Sequence, residues 1–108
     1  MILEERNYLV VPGGAAGYLR IWQESGRPAQ ERILGACRGV WLTEVGELNT
    51  IVFHWAYPDL AERSRRRAIL AADAEFAGFR EQVRGVIVRQ ANRILVSGPA
   101  GAPVEAAR

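Results

Sequence analysis

Four residues of this sequence supply a carboxylate, a fixed cation, a phenol and an imidazole. They are Glu4, Arg6, Tyr8 and His54, and His54 is the only histidine in the chain. An imidazole titrates near neutrality, so His54 could act as a general acid or base, while Arg6 stabilises an oxyanion and Tyr8 donates a hydrogen bond. If the four side chains share an apolar cavity, they make a small-molecule site, and we treat them as candidate catalytic residues.

Each of these residues also has a purely structural explanation. His54 could be a core histidine whose ring nitrogens are satisfied by neighbours. Glu4 and Arg6 could form an ion pair with each other, or with Arg63 or Arg67, because an unpaired charge in the middle of a sheet is costly. The sequence leaves both explanations open beside the functional one.

A second group of polar and aromatic residues could line the cavity or could serve in packing and turns. Three belong to the predicted second strand, one follows a turn, two belong to the predicted central strand, and two arginines flank the apolar stripe of the helix after it. The group comprises Trp41, Thr43, Glu44, Asn49, Trp55, Tyr57, Arg63 and Arg67.

The composition excludes several catalytic classes. The chain contains no lysine, which removes Schiff-base chemistry and a lysine general base. With one histidine and one cysteine, Cys37, there is no set of residues at metal-ligand spacing, and a Cys-His nucleophile is a remote alternative. We therefore expect no metal and no cofactor.

Charge and hydropathy limit the partners. The net charge is only +2 and acidic residues are spread among the arginines, so we expect no nucleic-acid binding, even at the run SRRR over 64–67. No apolar run approaches the roughly 18 residues of a membrane span, and the start does not resemble a signal peptide. A single cysteine fits a reducing compartment. We expect a cytoplasmic protein that does not enter the membrane.

Apolar periodicity and turn residues predict an α+β domain in the order β-α-β-β-α-β. This order is typical of a ferredoxin-like fold, in which helices cover one face of a four-stranded antiparallel sheet. Residues 1–97 should form the domain, and 98–108 a Gly/Pro/Ala-rich tail. Strands are predicted over 3–11, 37–45, 49–57 and 86–96, with helices from Ala15 to a cap at Gly26, over 28–34, from Leu60, and after Asp73.

Three further predictions concern a break in the first helix and the buried sides of the first strand and of the helix from Leu60. We expect Arg27-Pro28 to break the first helix, and Glu5 to lie on the helix-facing side of the first strand. On the helix from Leu60, the arginine run is expected to be mostly solvated and the opposite side to form the buried stripe. That stripe comprises Leu60, Ala61, Ser64, Ala68, Ala71 and Ala72.

The central strand is apolar on both of its alternating sets. Ile51, Phe53 and Trp55 belong to one set, and Val52 and Ala56 belong to the other with His54 between them. A lone sheet of this kind covers only one face with helices, so the other face should be buried by a second copy. We predict a homodimer whose sheets pack face to face.

The chain resembles bacterial members of the NIPSNAP family. The similarity runs from ILEERNY through WLTEVGELNTIVFHWAYPDLAERSRRRAILAADAEF to RILV, and its specific part is TEVG-x-LN, H-W-x-Y and the spaced arginines. The resemblance implies a dimeric α+β barrel, and the candidate site residues named above, except Trp41, match the family pattern. Glu5, Gly13-Gly14 and Phe76 depart from it. Related barrels include cofactor-free oxygenases, lyases and cyclases acting on small apolar substrates, which is a likeness of fold.

Three functional hypotheses follow. The first is a homodimer that binds a small apolar molecule in a pocket lined by Glu4, Arg6, Tyr8 and His54. The second is a cofactor-independent enzyme of oxygenase, lyase, cyclase or isomerase type that uses His54 as general acid or base. The third is a non-catalytic protein-interaction module.

Overall fold

The computed structural model describes residues 1–99, and it contains a four-stranded sheet covered on one face by helices. Residues 100–108 of the predicted tail lie outside the described part. The strands are β1 (Ile2–Val10), β2 (Gly39–Leu42), β3 (Thr50–Tyr57) and β4 (Ile87–Leu95). The helices are α1 (Ala15–Ile21), α2 (Arg27–Leu34), α3 (Leu60–Ala71) and α4 (Ala74–Gln82), with a π-helical turn (Trp22–Gly26) between the first two.

The strands follow the order β2-β3-β1-β4, and all three neighbouring pairs are antiparallel. This confirms the predicted α+β, ferredoxin-like fold, an arrangement in which the first strand pairs with the third. The register sets Glu4 opposite Trp55 and Glu5 opposite His54. Because side chains alternate between faces, each such cross-strand pair shares one face of the sheet.

The first helical region is continuous, so the predicted break at Arg27-Pro28 is wrong. The chain passes from α1 through the π-helical turn into α2, and the Arg27 N–H donates to the Trp22 carbonyl five residues earlier. Pro28 lies in the first turn of α2, directly after the π-helical turn, and the chain stays helical through it. Gly26 therefore does not end the helix. Instead, a Cβ at this position would lie only 2.8 Å from the Phe79 ring. Glycine therefore permits α4 to pack closely against the π-helical turn.

The connection between β2 and β3 is longer than predicted. Strand β2 ends at Leu42, and residues 43–49 form a loop in which Asn49 has a φ of 64°. Glu47 in this loop forms an ion pair with Arg89 on β4, the strand at the other side of the sheet. The loop therefore reaches over one end of the sheet, and Thr50 beneath it is buried.

The core lies between the sheet and the helices. From β3 it takes Ile51, Phe53, Trp55 and Tyr57, all at most 2 % exposed. From the helical layer it takes Tyr18, Trp22, Leu34, Leu70 and Phe79. At the start of α4, the Asp73 side chain accepts from the Phe76 N–H at 2.9 Å, as expected for an N-cap, and Phe76, Phe79 and Val83 are buried.

Helix α3 faces the sheet with a different side from the one predicted. Leu60, Ala61, Ser64, Ala68, Ala71 and Ala72 are all exposed, whereas Arg63, Arg66 and Arg67 are half-buried against the rest of the protein. Arg66 donates to the Leu34 carbonyl at 3.1 Å and lies over the Tyr57 ring. The methylene groups of arginine are apolar, so these side chains can pack against the core while their guanidinium groups bind buried oxygen atoms.

Candidate functional site

The candidate catalytic residues divide between the two faces of the sheet. Glu4, Arg6 and Tyr8 share the helix-covered face with Phe53 and Trp55, whereas His54 lies on the open face. The prediction that His54 shares a pocket with Glu4, Arg6 and Tyr8 is therefore wrong. In an antiparallel sheet, directly opposed residues share a face and neighbours along a strand alternate between faces; His54 opposes Glu5, so it lies on the face away from Glu4 and Arg6.

A cavity of about 360 Å³ lies between the sheet and the helices. Aromatic side chains form much of its wall: Tyr8, Tyr18, Trp22, Phe53, Phe76 and Phe79. Four arginines reach it, namely Arg6, Arg67, Arg80 and Arg84, together with the amides of Gln30 and Gln90. Within the part of the chain that the structure describes, no Asp or Glu lines this cavity.

Beside the cavity, the Glu4 carboxylate is fully buried among donors. Its Oε2 accepts from Arg6 Nη1 at 2.9 Å, from Arg63 Nη2 at 2.6 Å and from Asn92 Nδ2 at 2.8 Å. Its Oε1 accepts from the Tyr57 hydroxyl at 3.4 Å. These contacts realise the structural ion pair anticipated for Glu4, with Arg6 and Arg63 as partners.

Burial and the neighbouring donors together determine the pKa of Glu4. Burial by itself raises the pKa of the Glu4 carboxyl, but hydrogen bonds from Arg63 and Asn92 and the charges of Arg6 and Arg67 outweigh it, and the pKa falls from 4.5 to about 2. For Arg6, burial lowers the pKa, and the Tyr8 hydroxyl and Glu4 more than offset it, so the pKa is raised. Glu4 and Arg6 are therefore both charged at neutral pH.

Two tyrosines connect the Glu4–Arg6 hydrogen-bond network to the cavity wall, Tyr8 by its hydroxyl and Tyr18 by its ring. Arg6 Nε donates to the Tyr8 hydroxyl at 2.7 Å, and the Tyr8 and Tyr18 rings meet edge to face with centroids 6.4 Å apart. Burial raises the pKa of Tyr18, with a further contribution from Tyr8, so Tyr18 stays a neutral phenol able to donate a hydrogen bond.

On the opposite face, His54 belongs to a separate polar group. Its Nδ1 accepts from Trp41 Nε1 at 3.3 Å, and its Nε2 lies 3.1 Å from Glu5 Oε1. Since an indole nitrogen can only donate, these contacts assign the proton of the neutral ring to Nε2. Glu5 also accepts from Arg93 and Asn7. Burial raises the pKa of the Glu5 carboxyl, but the bonds from His54, Arg93 and Asn7 give a lowered pKa. Glu5 therefore does not face the helices, contrary to the prediction.

The second group of candidates is also divided. Arg67 lines the cavity, Arg63 binds Glu4 beside it, and Trp55 and Tyr57 are core residues next to Glu4. The remaining four do not line the cavity: Trp41 lies on the open face, and Thr43, Glu44 and Asn49 belong to the 43–49 loop. The β2–β3 hairpin carries them away from the helices, so they do not close one end of the cavity.

Several cavity residues were not anticipated. Arg80 and Arg84 are four residues apart on and after α4, which is a signal that the sequence offered, whereas Gln30 and Gln90 have no distinctive local pattern. Gln30 is buried, and its Oε1 accepts a hydrogen bond from Trp22 Nε1 at 2.6 Å across the π-helical turn. Such turns are frequent at functional sites.

Two further features bear on the chemistry of residues 1–99. No three His, Cys, Asp or Glu side chains come together there in an arrangement that could hold a metal ion. None of the helices there is long and apolar enough to cross a membrane.

A family model for NIPSNAP matches residues 3–100. The chain belongs to the NIPSNAP family. Among solved structures, a NIPSNAP-like domain protein from Burkholderia xenovorans is 36% identical, with a TM-score of 0.88 over 94% of this chain and 89% of that one. A NIPSNAP family protein with unknown function from Agrobacterium tumefaciens is 34% identical, with a TM-score of 0.84 over 88% and 86%.

More distant structures share only the fold with this NIPSNAP chain. A putative antibiotic biosynthesis monooxygenase from Nitrosomonas europaea is 10% identical, with a TM-score of 0.64 over 90% of this chain and 98% of that one. Comparison with the curated proteins found no match. The family and the fold are thus established, and no activity comes with them.

Proposed function

We propose that this chain is a cytoplasmic homodimer that binds a small molecule with an apolar, planar body in the cavity between its sheet and helices. The observation that carries the proposal is the cavity itself, about 360 Å³ in volume and walled by six aromatic side chains. Small-molecule sites are mostly apolar clefts of roughly 300 Å³ or more with a few polar groups. This cavity has that size and composition.

The chemistry of the wall defines what the site does. The Tyr8, Tyr18 and Phe79 rings form a chain of edge-to-face and tilted contacts with their neighbours, which holds the wall in one arrangement. Arg6 is fixed by Glu4 and Tyr8, so it presents a positioned cation at the cavity. Binding requires no metal or cofactor in this scheme.

The open face supports the dimer part of the proposal. Val52 and Ala56 of β3 and Leu3 and Leu9 of β1 are only half-buried there, and Trp41 is 58 % exposed. Apolar residues that a single chain leaves half-covered are typical of a contact surface between copies. The Glu5–His54 pair lies in this surface, so we assign it to the contact between subunits and not to acid-base catalysis on a ligand in the cavity.

Native mass spectrometry of protein purified from its own host tests both parts. We expect the mass of a dimer and, under gentle conditions, additional mass from a retained small molecule that is lost on denaturation. A monomer at micromolar concentration would overturn the dimer.

A pair of variants locates the binding site. Gln90 is exposed at the rim of the cavity, so Gln90→Trp should occlude it and abolish the retained mass. Val88→Trp is the matched control, because Val88 is exposed on the same strand and does not line the cavity. Retention of the same small molecule by both variants would contradict binding in this cavity.

A further inference from the structure

The charges around the cavity do not balance. Among residues 1–99, Glu4 contributes the single buried carboxylate, and three guanidinium groups act on it: those of Arg6, Arg63 and Arg67. Partial burial makes such a surplus of positive charge costly, because water screens it less than at the surface. A bound anion would offset it.

Arg67 is the cation best placed to receive that anion. It lines the cavity and forms no ion pair within residues 1–99. Among the described residues, two buried guanidinium nitrogens lack a hydrogen-bond partner, Arg67 Nη1 and Arg63 Nε, and of these two arginines only Arg67 lines the cavity. Arg67 therefore brings to the cavity wall a cation that no carboxylate of residues 1–99 pairs with.

A second cation lies on the helical side of the cavity. Arg80 stacks over the Phe76 ring at 5.5 Å, and its one hydrogen-bond acceptor within residues 1–99 is the Ala71 carbonyl at 3.5 Å. Arg84 differs, because it is neutralised by Glu81 on the surface of the protein. Arg6, Arg67 and Arg80 thus face a cavity that no acidic side chain of the described chain enters.

Resting on the proposed function, we infer that the ligand is a small aromatic carboxylate whose carboxylate binds Arg67 and whose ring system packs against the aromatic wall. A planar carboxylate matches the fork of a guanidinium group, and both its oxygens can be satisfied by N–H donors. Tyr18, a neutral phenol, supplies a further donor. The remaining volume is walled by rings and suits a flat apolar body.

Calorimetric titration with 2-naphthoate and its uncharged counterpart 2-naphthamide tests this inference. The two probes have nearly the same shape, so their difference in affinity reports the charge. In Tris buffer at low salt we expect naphthoate to bind about 10-fold more tightly or better, as charge-assisted hydrogen bonds are worth more than neutral ones. Equal affinities would overturn the carboxylate assignment and leave binding in the cavity intact.

Arginine variants test whether Arg67 is the cation that binds the ligand carboxylate. Arg67→Gln should weaken naphthoate binding by about 10- to 100-fold, the value of hydrogen bonds to a charged group, with little change for naphthamide. Arg65→Gln is the control, because Arg65 is exposed on the same helix and pairs with Glu62. An unchanged naphthoate affinity in Arg67→Gln, with a native circular dichroism spectrum, would contradict the assignment.

Two other outcomes are decisive. Tighter binding of 2-naphthyl phosphate than of naphthoate would replace the carboxylate by a phosphoryl group and overturn the inference as stated. If neither naphthoate nor naphthamide binds, the aromatic carboxylate is also wrong. The proposed function then fails only if the protein purified from its host retains no molecule in the native spectrum.

Discussion

Glu5 and His54 oppose each other on β1 and β3, with His54 Nε2 3.1 Å from Glu5 Oε1, on the sheet face that carries no helix. One residue earlier on β1, Glu4 is buried on the other face among arginines. Adjacent acidic residues therefore belong to two separate polar groups. The group around Glu4 adjoins the cavity of about 360 Å³ through Arg6, and neither Glu5 nor His54 lines that cavity.

Replacing His54 should not affect ligand binding. His54→Ala removes a side chain of the open face, so the affinity for 2-naphthoate should stay within about 2-fold of the wild type, since residues that share no contacts act independently. Tyr8→Ala is the comparison, because Tyr8 lines the cavity and anchors Arg6. Calorimetry measures both. A large loss of affinity in His54→Ala alone would restore His54 to the site.

Loss of the buried carboxylate should destabilise the fold strongly. Glu4→Gln leaves Arg6 and Arg63 without their acid, and breaking a buried ion pair in this way costs about 3 to 5 kcal/mol of unfolding free energy. Glu81→Gln is the matched control: it breaks an exposed pair with Arg84, which water screens, so we expect a far smaller loss than in Glu4→Gln. Urea denaturation measures both, and comparable losses would contradict the role assigned to Glu4.

Acid should weaken the protein in a defined pH range. The folded-state pKa of Glu4 lies at about 2, below its ordinary 4.5, so the unfolded chain takes up the proton first as the pH falls. The stabilisation is complete above about pH 5 and is lost as the pH falls towards 2, a total of about 3 kcal/mol.

The control for this pH effect is Glu62→Gln, because Glu62 is a half-buried acid on the outer side of α3 whose pKa is also lowered, by hydrogen bonds from Arg65 and Arg66. Unfolding free energy measured in urea at several pH values should lose most of its acid dependence in Glu4→Gln and little in Glu62→Gln. A larger change in Glu62→Gln than in Glu4→Gln would show that Glu62, with Arg65 and Arg66, causes the acid dependence of stability.

A methyl group at Gly26 should disturb the cavity wall. Its Cβ would lie within 2.9 Å of three atoms of the Phe79 ring, so Gly26→Ala requires α4 or the ring to move, at a cost of about 1 to 3 kcal/mol. In Gly78→Ala nothing lies within 4 Å of the new Cβ, and the helical position should gain about 0.5 to 1 kcal/mol. Thermal unfolding separates the two, and a neutral Gly26→Ala would show that the approach of α4 is loose.

The sequence was informative about the sheet because strand signals are local. Period-two alternation assigned Phe53 and Trp55 to one face and His54 to the other, and the ferredoxin-like fold, in which the first strand pairs with the third, was predicted correctly. The site was assembled wrongly because sharing a face depends on register, and composition alone does not reveal that His54 opposes Glu5.

Helix α3 was misread for a different physical reason. Its hydropathy pattern predicts that alanines face the sheet, yet Arg63 turns inward because its partner Glu4 lies 59 residues earlier on β1. Likewise Gly26 and Pro28 are local signals for a helix end. The contacts of Trp22 with Gln30 and Phe53 keep the chain helical across them. Tertiary contacts between distant residues decided both cases.

The most direct test of the account is a two-dimensional NMR titration of the indole N–H groups with 2-naphthoate. Trp22 lies in the cavity wall with its indole bonded to Gln30, whereas the Trp41 indole is bonded to His54 on the open face. The chain has three tryptophans, so Trp41→Phe and Trp55→Phe assign two of the indole signals and leave the third to Trp22. We predict that the Trp22 signal shifts with added ligand and the Trp41 signal does not; a shift of Trp41 with Trp22 unchanged would place binding on the open face and contradict the account.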